Sequence, residues 1–430
     1  MFSKKKEDKL LTSGPLTCFF VQAGFGTAFT YLTSGVFLSG LALLMGAGDV
    51  LVSYLSVIAN ICGVLILALS AFFERFASRK KLAIALTVLS RLVTVLIVAI
   101  PALVPGKARL WVFIPAVVAA FALQAQTTVV LNQWMLQFIE EKKSGRYISL
   151  RQTLTLIVTV ILAMIGGWWM DFMGGEYRGF VILYGIAALM AACEIILLAR
   201  TPDGPAYPVP QQSYRFWQFA KIVGKNKPFT GYVLYIAVFY LLLNIADSFT
   251  MVYMMKYLAL PYQTVTGLYM IISLPQVLWL GIWGKISDRR GHAFVLKTSV
   301  WLFIGEMLFM AFAAPDSWHV FIPLAFLISS VANSGFVVSM FNRRYELMPE
   351  DNRILYDNFF TAAMGLGCLL GPMAGGAVKG LLENAKVSEK LLPFGEIRLL
   401  YLISTGGILA LQLGYFYFEK KTEGKKNVGN

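Results

Sequence analysis

The chain has 430 residues, of which 58% are hydrophobic and only 14% charged, and its mean hydropathy is +0.68. Soluble domains carry about 25% charged residues, so this composition excludes a soluble protein and points to an integral membrane protein. The net charge of +14 does not signal a nucleic-acid partner, because the basic residues sit in loops at alternate membrane boundaries.

A spanning helix needs about 20 apolar residues. The sequence predicts twelve, over 15–45, 50–73, 82–104, 109–138, 148–170, 180–200, 228–255, 264–284, 294–313, 319–341, 354–382 and 397–418. Lys4, Lys5, Lys6 and Lys9 precede the first apolar run, which is too long for a cleavable signal peptide and reads as the first span. Cys18, Cys62, Cys193 and Cys368 lie inside apolar runs and read as small core residues, not a disulfide framework. With the N-terminus inside, most of the 37 basic residues fall in cytoplasmic segments, so both termini are expected in the cytoplasm.

The longest cytoplasmic loop, 201–227, opens with Pro202, Pro205, Pro208 and Pro210, which forbid a continuous helix. Its stretch from Arg215 to Val223 interleaves aromatic and basic residues, as a helix lying on the inner leaflet would; a partly ordered linker fits equally. This loop divides the chain into a six-helix bundle over 1–200, a second over 228–418 and a cytoplasmic tail over 419–430. The halves repeat. Glu74-Arg75-x-Ala77-Ser78-Arg79 follows the second span as Asp288-Arg289-x-Gly291 follows the eighth. Asn132 to Glu140 ahead of Gly145-Arg146 likewise matches Asn342 to Glu350 ahead of Asn352-Arg353.

The most telling stretch runs from Gly284 to His292, a charged turn expected between two spans. There Gly284 would let backbones approach closely, Asp288 and Arg289 would meet water, and Gly291 would end the helix at positive φ. Gly284-x-x-x-Asp288-Arg289-x-Gly291 resembles the cytoplasmic loop motif of the major facilitator superfamily. His292 stands where that family usually has Arg or Lys. The first copy is degenerate, with Ser70 and Ala77 in place of glycine and Glu74 in place of aspartate. The resemblance implies an all-α membrane fold of twelve transmembrane helices in two six-helix pseudo-repeats. It also implies solute transport by alternating access, with the site near midplane between the repeats. By the same resemblance Glu74 and Asp288, with Arg75 and Arg289 beside them, form a latch that faces the starts of helices 11 and 5. A carboxylate at a helix N-terminus is favoured by about 0.3–1 kcal/mol.

Gly281-x-x-Gly284-Lys285 is too short for a phosphate loop, so ATP is not the expected energy source. His292 and His319 are the only histidines and lie in different loops, so no metal cluster is expected. No Gly-x-Ser-x-Gly elbow is present. An enzyme, and any cofactor, are therefore not expected.

A carrier must instead hold its binding and coupling groups inside the bilayer, where a charge costs about 2.5–3.5 kcal/mol and marks function. Arg91, Glu194, Asp247 and Glu306 qualify. Asp247 leads: it lies on helix 7, which by resemblance lines the cavity, with Asn244 three residues earlier on the same face. A carboxyl held away from water there could load and release a proton; the alternative is a wetted, structural aspartate near the outer mouth. Arg91, near midplane, could pair with a carboxylate, receive an anionic substrate, or pack between helices 2, 3 and 4. Glu306 occupies nearly the same place in the second repeat, although helices 3 and 9 are peripheral in the resembled fold. Glu194 lies near the cytoplasmic end and reads as reaching water. Gln22, Asn60, Gln124, Gln126 and Asn333 are candidate cavity amides, each able to donate and accept, or else interhelical hydrogen bonds.

Gly371, Pro372, Gly375 and Gly376, preceded by Gly367, give helix 11 a small-residue ridge that permits close packing and a rocking hinge. Drug exporters of the resembled family carry such a motif in helix 5, and its proton antiporters an Arg midway along helix 4. Neither is found here, so the direction of transport stays open. The sequence is read as a monomeric secondary transporter moving a small solute across the cytoplasmic membrane, coupled to protons. The alternatives are an exporter of amphipathic compounds, a non-transporting sensor and a lipid flippase.

Overall fold

An apolar segment in lipid finds no water for its backbone N–H and C=O groups, so it must satisfy them internally as a helix. The computed structural model is helical throughout, with no strand among the described residues, which are 14–73, 76, 78–106, 108–139, 141–204, 224, 226–349, 353–385 and 395–427. The elements are α1a (Gly14–Thr33), α1b (Gly35–Leu44), α2 (Asp49–Phe73), α3 (Arg79–Ile97), α4 (Ala108–Leu136), α5 (Glu141–Phe172) and α6 (Tyr177–Arg200). They continue with α7 (Lys227–Ala246), α8 (Tyr262–Arg290), α9 (His292–Phe312), α10 (Trp318–Leu347), α11 (Arg353–Asn384) and α12 (Gly395–Asn427). Ten helices among the described residues are long and apolar enough to cross a membrane, and α2 adds a shorter apolar stretch, Asp49–Cys62. Exposed Trp111, Leu189 and Leu278 suit a surface solvated by lipid. The protein is a multi-pass membrane protein.

Several boundaries differ from the sequence reading, each for a local reason. The first span breaks at Ser34, where Gly35 has φ +55° and the Ser34 hydroxyl donates to the Thr30 carbonyl. The eighth span does not turn at Gly284. It stays helical to Arg290, with Arg289 and Arg290 in the last turn, where cations offset the negative end of the helix dipole. Only Gly291, at φ +85°, ends it. Among the described residues nothing lies within 4 Å of a Cβ placed on Gly284, so that glycine makes no close approach to any of them. α5 starts at Glu141 rather than 148, which puts Arg151 ten residues into the helix. α12 runs to Asn427, past the expected end at 418. α7 gives way to a 3-10 turn at Asp247–Phe249 and a π-turn at Tyr253–Tyr257.

The chain divides into two compact units, one of Met1–Gly48, Cys62–Ser213 and Pro261–Thr266, the other of Asp49–Ile61, Tyr214–Leu260 and Gly267–Asn430. In unit 1, α1a packs on α5 and α6, and α3 on α4 and α6. In unit 2, α7 packs on α11 and α12, and α9 on α10 and α12. The pairings correspond one for one, which is the structural form of the sequence repeat.

In unit 1 the core at one end of the helices gathers Phe19, Leu86, Trp134, Tyr147 and Leu198. The Phe19 and Trp134 rings meet edge-on at 5.0 Å, and the Tyr147 hydroxyl donates to the Leu16 carbonyl. The Asp171 carboxylate accepts the backbone N–H groups of Tyr262 and Gln263 at 2.7 and 2.8 Å, capping the first turn of α8 and holding 261–266 in this unit. In unit 2 the corresponding anchor is Asp49. It meets Lys256 at 2.5 Å, Lys379 at 3.0 Å and the Tyr257 hydroxyl at 2.6 Å.

Unit 2 also carries a close helix contact. A Cβ on Gly371 would lie 2.9 Å from the Leu241 carbonyl oxygen, and those on Gly367 and Gly375 would press still harder on the Ala237 and Ile245 oxygens. Three glycines four residues apart thus face three carbonyls four residues apart, and α11 lies backbone to backbone on α7. Gly376 fills a separate contact, beside Val50. Pro372 sits inside an unbroken α11. The expected hinge ridge is a packing seam within one unit.

Candidate functional site

Among the described residues each unit contains a polar cavity, and the two differ in charge. The cavity of unit 1, of about 300 Å³, is bounded by α1a, α3, α4, α5 and α6. On its wall Arg91 and Glu194 form a buried ion pair, the Nε donating to Oε2 at 3.0 Å and Nη2 to Oε1 at 3.3 Å. The Gln22 amide donates to the same carboxylate at 2.7 Å. The Arg91 guanidinium also lies over the Phe29 ring, 4.3 Å from its centre. Gly26 makes this possible, since a Cβ there would come 2.7 Å from Glu194 Oε1. Gln124 lines the same cavity and donates to the Thr30 hydroxyl at 2.8 Å. Gln126 is buried outside it.

Two corrections follow. Glu194 does not reach water: its side chain is fully buried, because the inward face of α6 turns it toward Arg91. Position along a helix does not reveal which face is covered. The signal available in the sequence was charge balance, since Arg91 in a bilayer demands a counter-charge and Glu194 is the other charged residue singled out in the first-half spans. Arg151, three residues into the expected span 148–170 and not singled out there, lines the cavity. Its Nη1 donates to the Asn132 side-chain oxygen at 3.3 Å and to the Met135 sulfur at 3.5 Å.

The cavity of unit 2, of about 260 Å³, brings Asp247, Glu306 and Asn333 together. The two carboxyl groups are near enough to sense one another's charge. The Thr250 hydroxyl donates to Asp247 at 3.4 Å and lies 2.6 Å from the Tyr401 hydroxyl. Glu306 interacts with Ser329, while its Oε2 is buried without a partner among the described residues. Among the described residues no Lys or Arg lines this cavity. Helices 3 and 9 were expected to be peripheral, yet Arg91 and Glu306 each reach a cavity of their own unit, because long side chains project inward from an outer helix.

Asn244 does not share the cavity face with Asp247. Its amide turns back to the Tyr240 carbonyl at 2.7 Å and lies beside Cys368. The cause is its place on the α7–α11 seam, where a Cβ on Gly371 would lie 2.5 Å from the Asn244 Cβ. Asn60 is exposed and lines neither cavity. Asp288 and Arg289 are exposed on the last turns of α8. His292 opens α9, its Nδ1 2.5 Å from the Ser287 hydroxyl. Glu74, Arg75 and the Arg215–Val223 stretch lie outside the described residues. The four cysteines are free.

Helix bundles with polar, solute-sized cavities among membrane spans are the architecture of membrane transport proteins. Residues 16–353 match the Major Facilitator Superfamily, and the chain belongs to that family. Among solved structures it resembles a mutant of the nucleoside transporter NupG, with a TM-score of 0.72 at 14% identity over 93% of this chain and 99% of that one. It also resembles a bacterial homologue of the iron transporter ferroportin in its inward-facing state, with a TM-score of 0.67 at 14% identity, covering 94% and 97%. A D-xylose-proton symporter follows with a TM-score of 0.66 at 12% identity, covering 92% and 96%. No curated protein matches the sequence.

Proposed function

We propose that the protein is a proton-coupled secondary transporter of a small polar solute, acting as a monomer by alternating access in the cytoplasmic membrane with both termini inside. The observation that carries the coupling is the pair Asp247 and Glu306 in one cavity with no lining cation among the described residues. Two neighbouring carboxyls in a low-dielectric site resist double ionisation, so the pair holds a proton that solvent access can release. The kinship with a family that includes a proton symporter supports this reading. It is tested with purified protein in vesicles enclosing a pH dye, challenged with sugars, nucleosides, amino acids, organic acids and lipophilic cations. Lumenal pH change on adding a solute is the expected result; solute entry with no pH change contradicts coupling.

A second reading, export of amphipathic cations, is favoured by the aromatic wall of the unit 2 cavity. Phe239, Tyr240, Phe303 and Phe336 stand beside the two carboxyls. Responses confined to lipophilic cations would select it.

A further inference from the structure

The cavity of unit 1 has the opposite character to that of unit 2. Its charged lining residues are Arg91, Arg151 and Glu194. Glu194 is taken up by Arg91 and Gln22, so the positive charge of Arg151 is left over. Three buried polar atoms on this wall have no partner among the described residues: Arg91 Nη1, Arg151 Nε and Gln22 Oε1. Two are donors on cations and one is a neutral acceptor. The remaining polar lining is uncharged, Thr27, Ser34, Thr127, Thr155 and Thr159 among it.

We infer that this cavity binds a small hydroxylated carboxylic acid, such as a sugar acid, as its solute. The inference rests on the transport reading above and names the substrate class. A carboxylate brings two acceptors and one negative charge, which answer the two guanidinium donors and the residual charge. A hydroxyl donates to Gln22 Oε1, and the threonine and serine hydroxyls serve the rest of a polyol. A neutral sugar offers no charge to match the surplus positive charge of the Arg91, Arg151 and Glu194 set and answers the buried guanidinium donors less strongly, which costs affinity.

The test is calorimetric titration of the full-length protein in detergent with D-gluconate, D-glucuronate, L-lactate, gluconamide and D-glucose. Gluconate and gluconamide share a skeleton and differ in charge, so that comparison needs no variant. The expected result is that at least one hydroxy acid binds and that the amide or neutral sugar binds weaker by about tenfold or more. Arg151→Gln should remove that preference while leaving heat-induced unfolding cooperative. Equal binding of gluconate and gluconamide overturns the inference, as does the absence of acid binding at millimolar concentration. Acid binding without flux in the vesicle assay would retain this inference and sink the transport reading. Proton-coupled flux of a neutral solute would do the reverse.

Discussion

Arg91 and Glu194 offer the sharpest test of how the unit 1 cavity is built. Removing one member strands a charge that is almost wholly shielded, since the side chains are 8% and 0% exposed. Breaking a buried pair in this way costs about 3–5 kcal/mol, whereas replacing both members by apolar groups is often near neutral. Arg91→Met and Glu194→Met should therefore each lose about 3–5 kcal/mol. The double variant keeps one unmet group, the Gln22 amide that donates to Glu194, which costs about 1–3 kcal/mol. The double variant is thus expected to be more stable than either single one. Equilibrium unfolding in mixed detergent–SDS micelles measures the cycle. A double variant that loses the sum of the single losses would show that the two side chains do not act as a pair and would refute the reasoning.

Four further outcomes follow from the geometry. Gly371→Ala places a methyl 2.9 Å from the Leu241 oxygen and should cost about 1–3 kcal/mol by overpacking, read as a lowered melting temperature. Gly284→Ala, inside α8 with open space around it, should instead raise that temperature slightly, since Ala is favoured over Gly in a helix by about 0.5–1 kcal/mol. Asp49→Asn removes the carboxylate shared by Lys256, Lys379 and Tyr257 and should cost about 1.5–3 kcal/mol; unaltered unfolding would show that the cluster contributes nothing. Asp171→Ala removes the cap on Tyr262 and Gln263, with an expected loss of about 1 kcal/mol and faster backbone exchange confined to the first turn of α8.

Twelve apolar runs and a repeated loop motif made the fold legible, because lipid leaves a helix as the one way to satisfy an apolar backbone. The polar faces were harder to read. Asp247, Glu306 and Asn333 meet as a group, but Asn244 three residues away does not, since it is packed against Gly371 on the α11 seam and periodicity does not say which neighbour a face meets. Arg91 was evident from its cost, while its partner Glu194 was hidden by its place near a helix end. Arg151 was missed because it stands at the edge of its apolar run, whereas α5 begins seven residues earlier and puts it three turns into a helix. Apolar length marks where lipid begins, not where a helix begins.

The central claim is that Asp247 and Glu306 carry the coupling proton. The measurement that bears on it most directly compares two modes of flux in vesicles holding wild type, Asp247→Asn or Glu306→Gln, with whichever solute the pH-dye recordings identify. The account predicts that the variants keep counterflow, in which solute exchanges for solute without net proton movement, and lose accumulation driven by a pH gradient. Full pH-driven accumulation in both variants would contradict it.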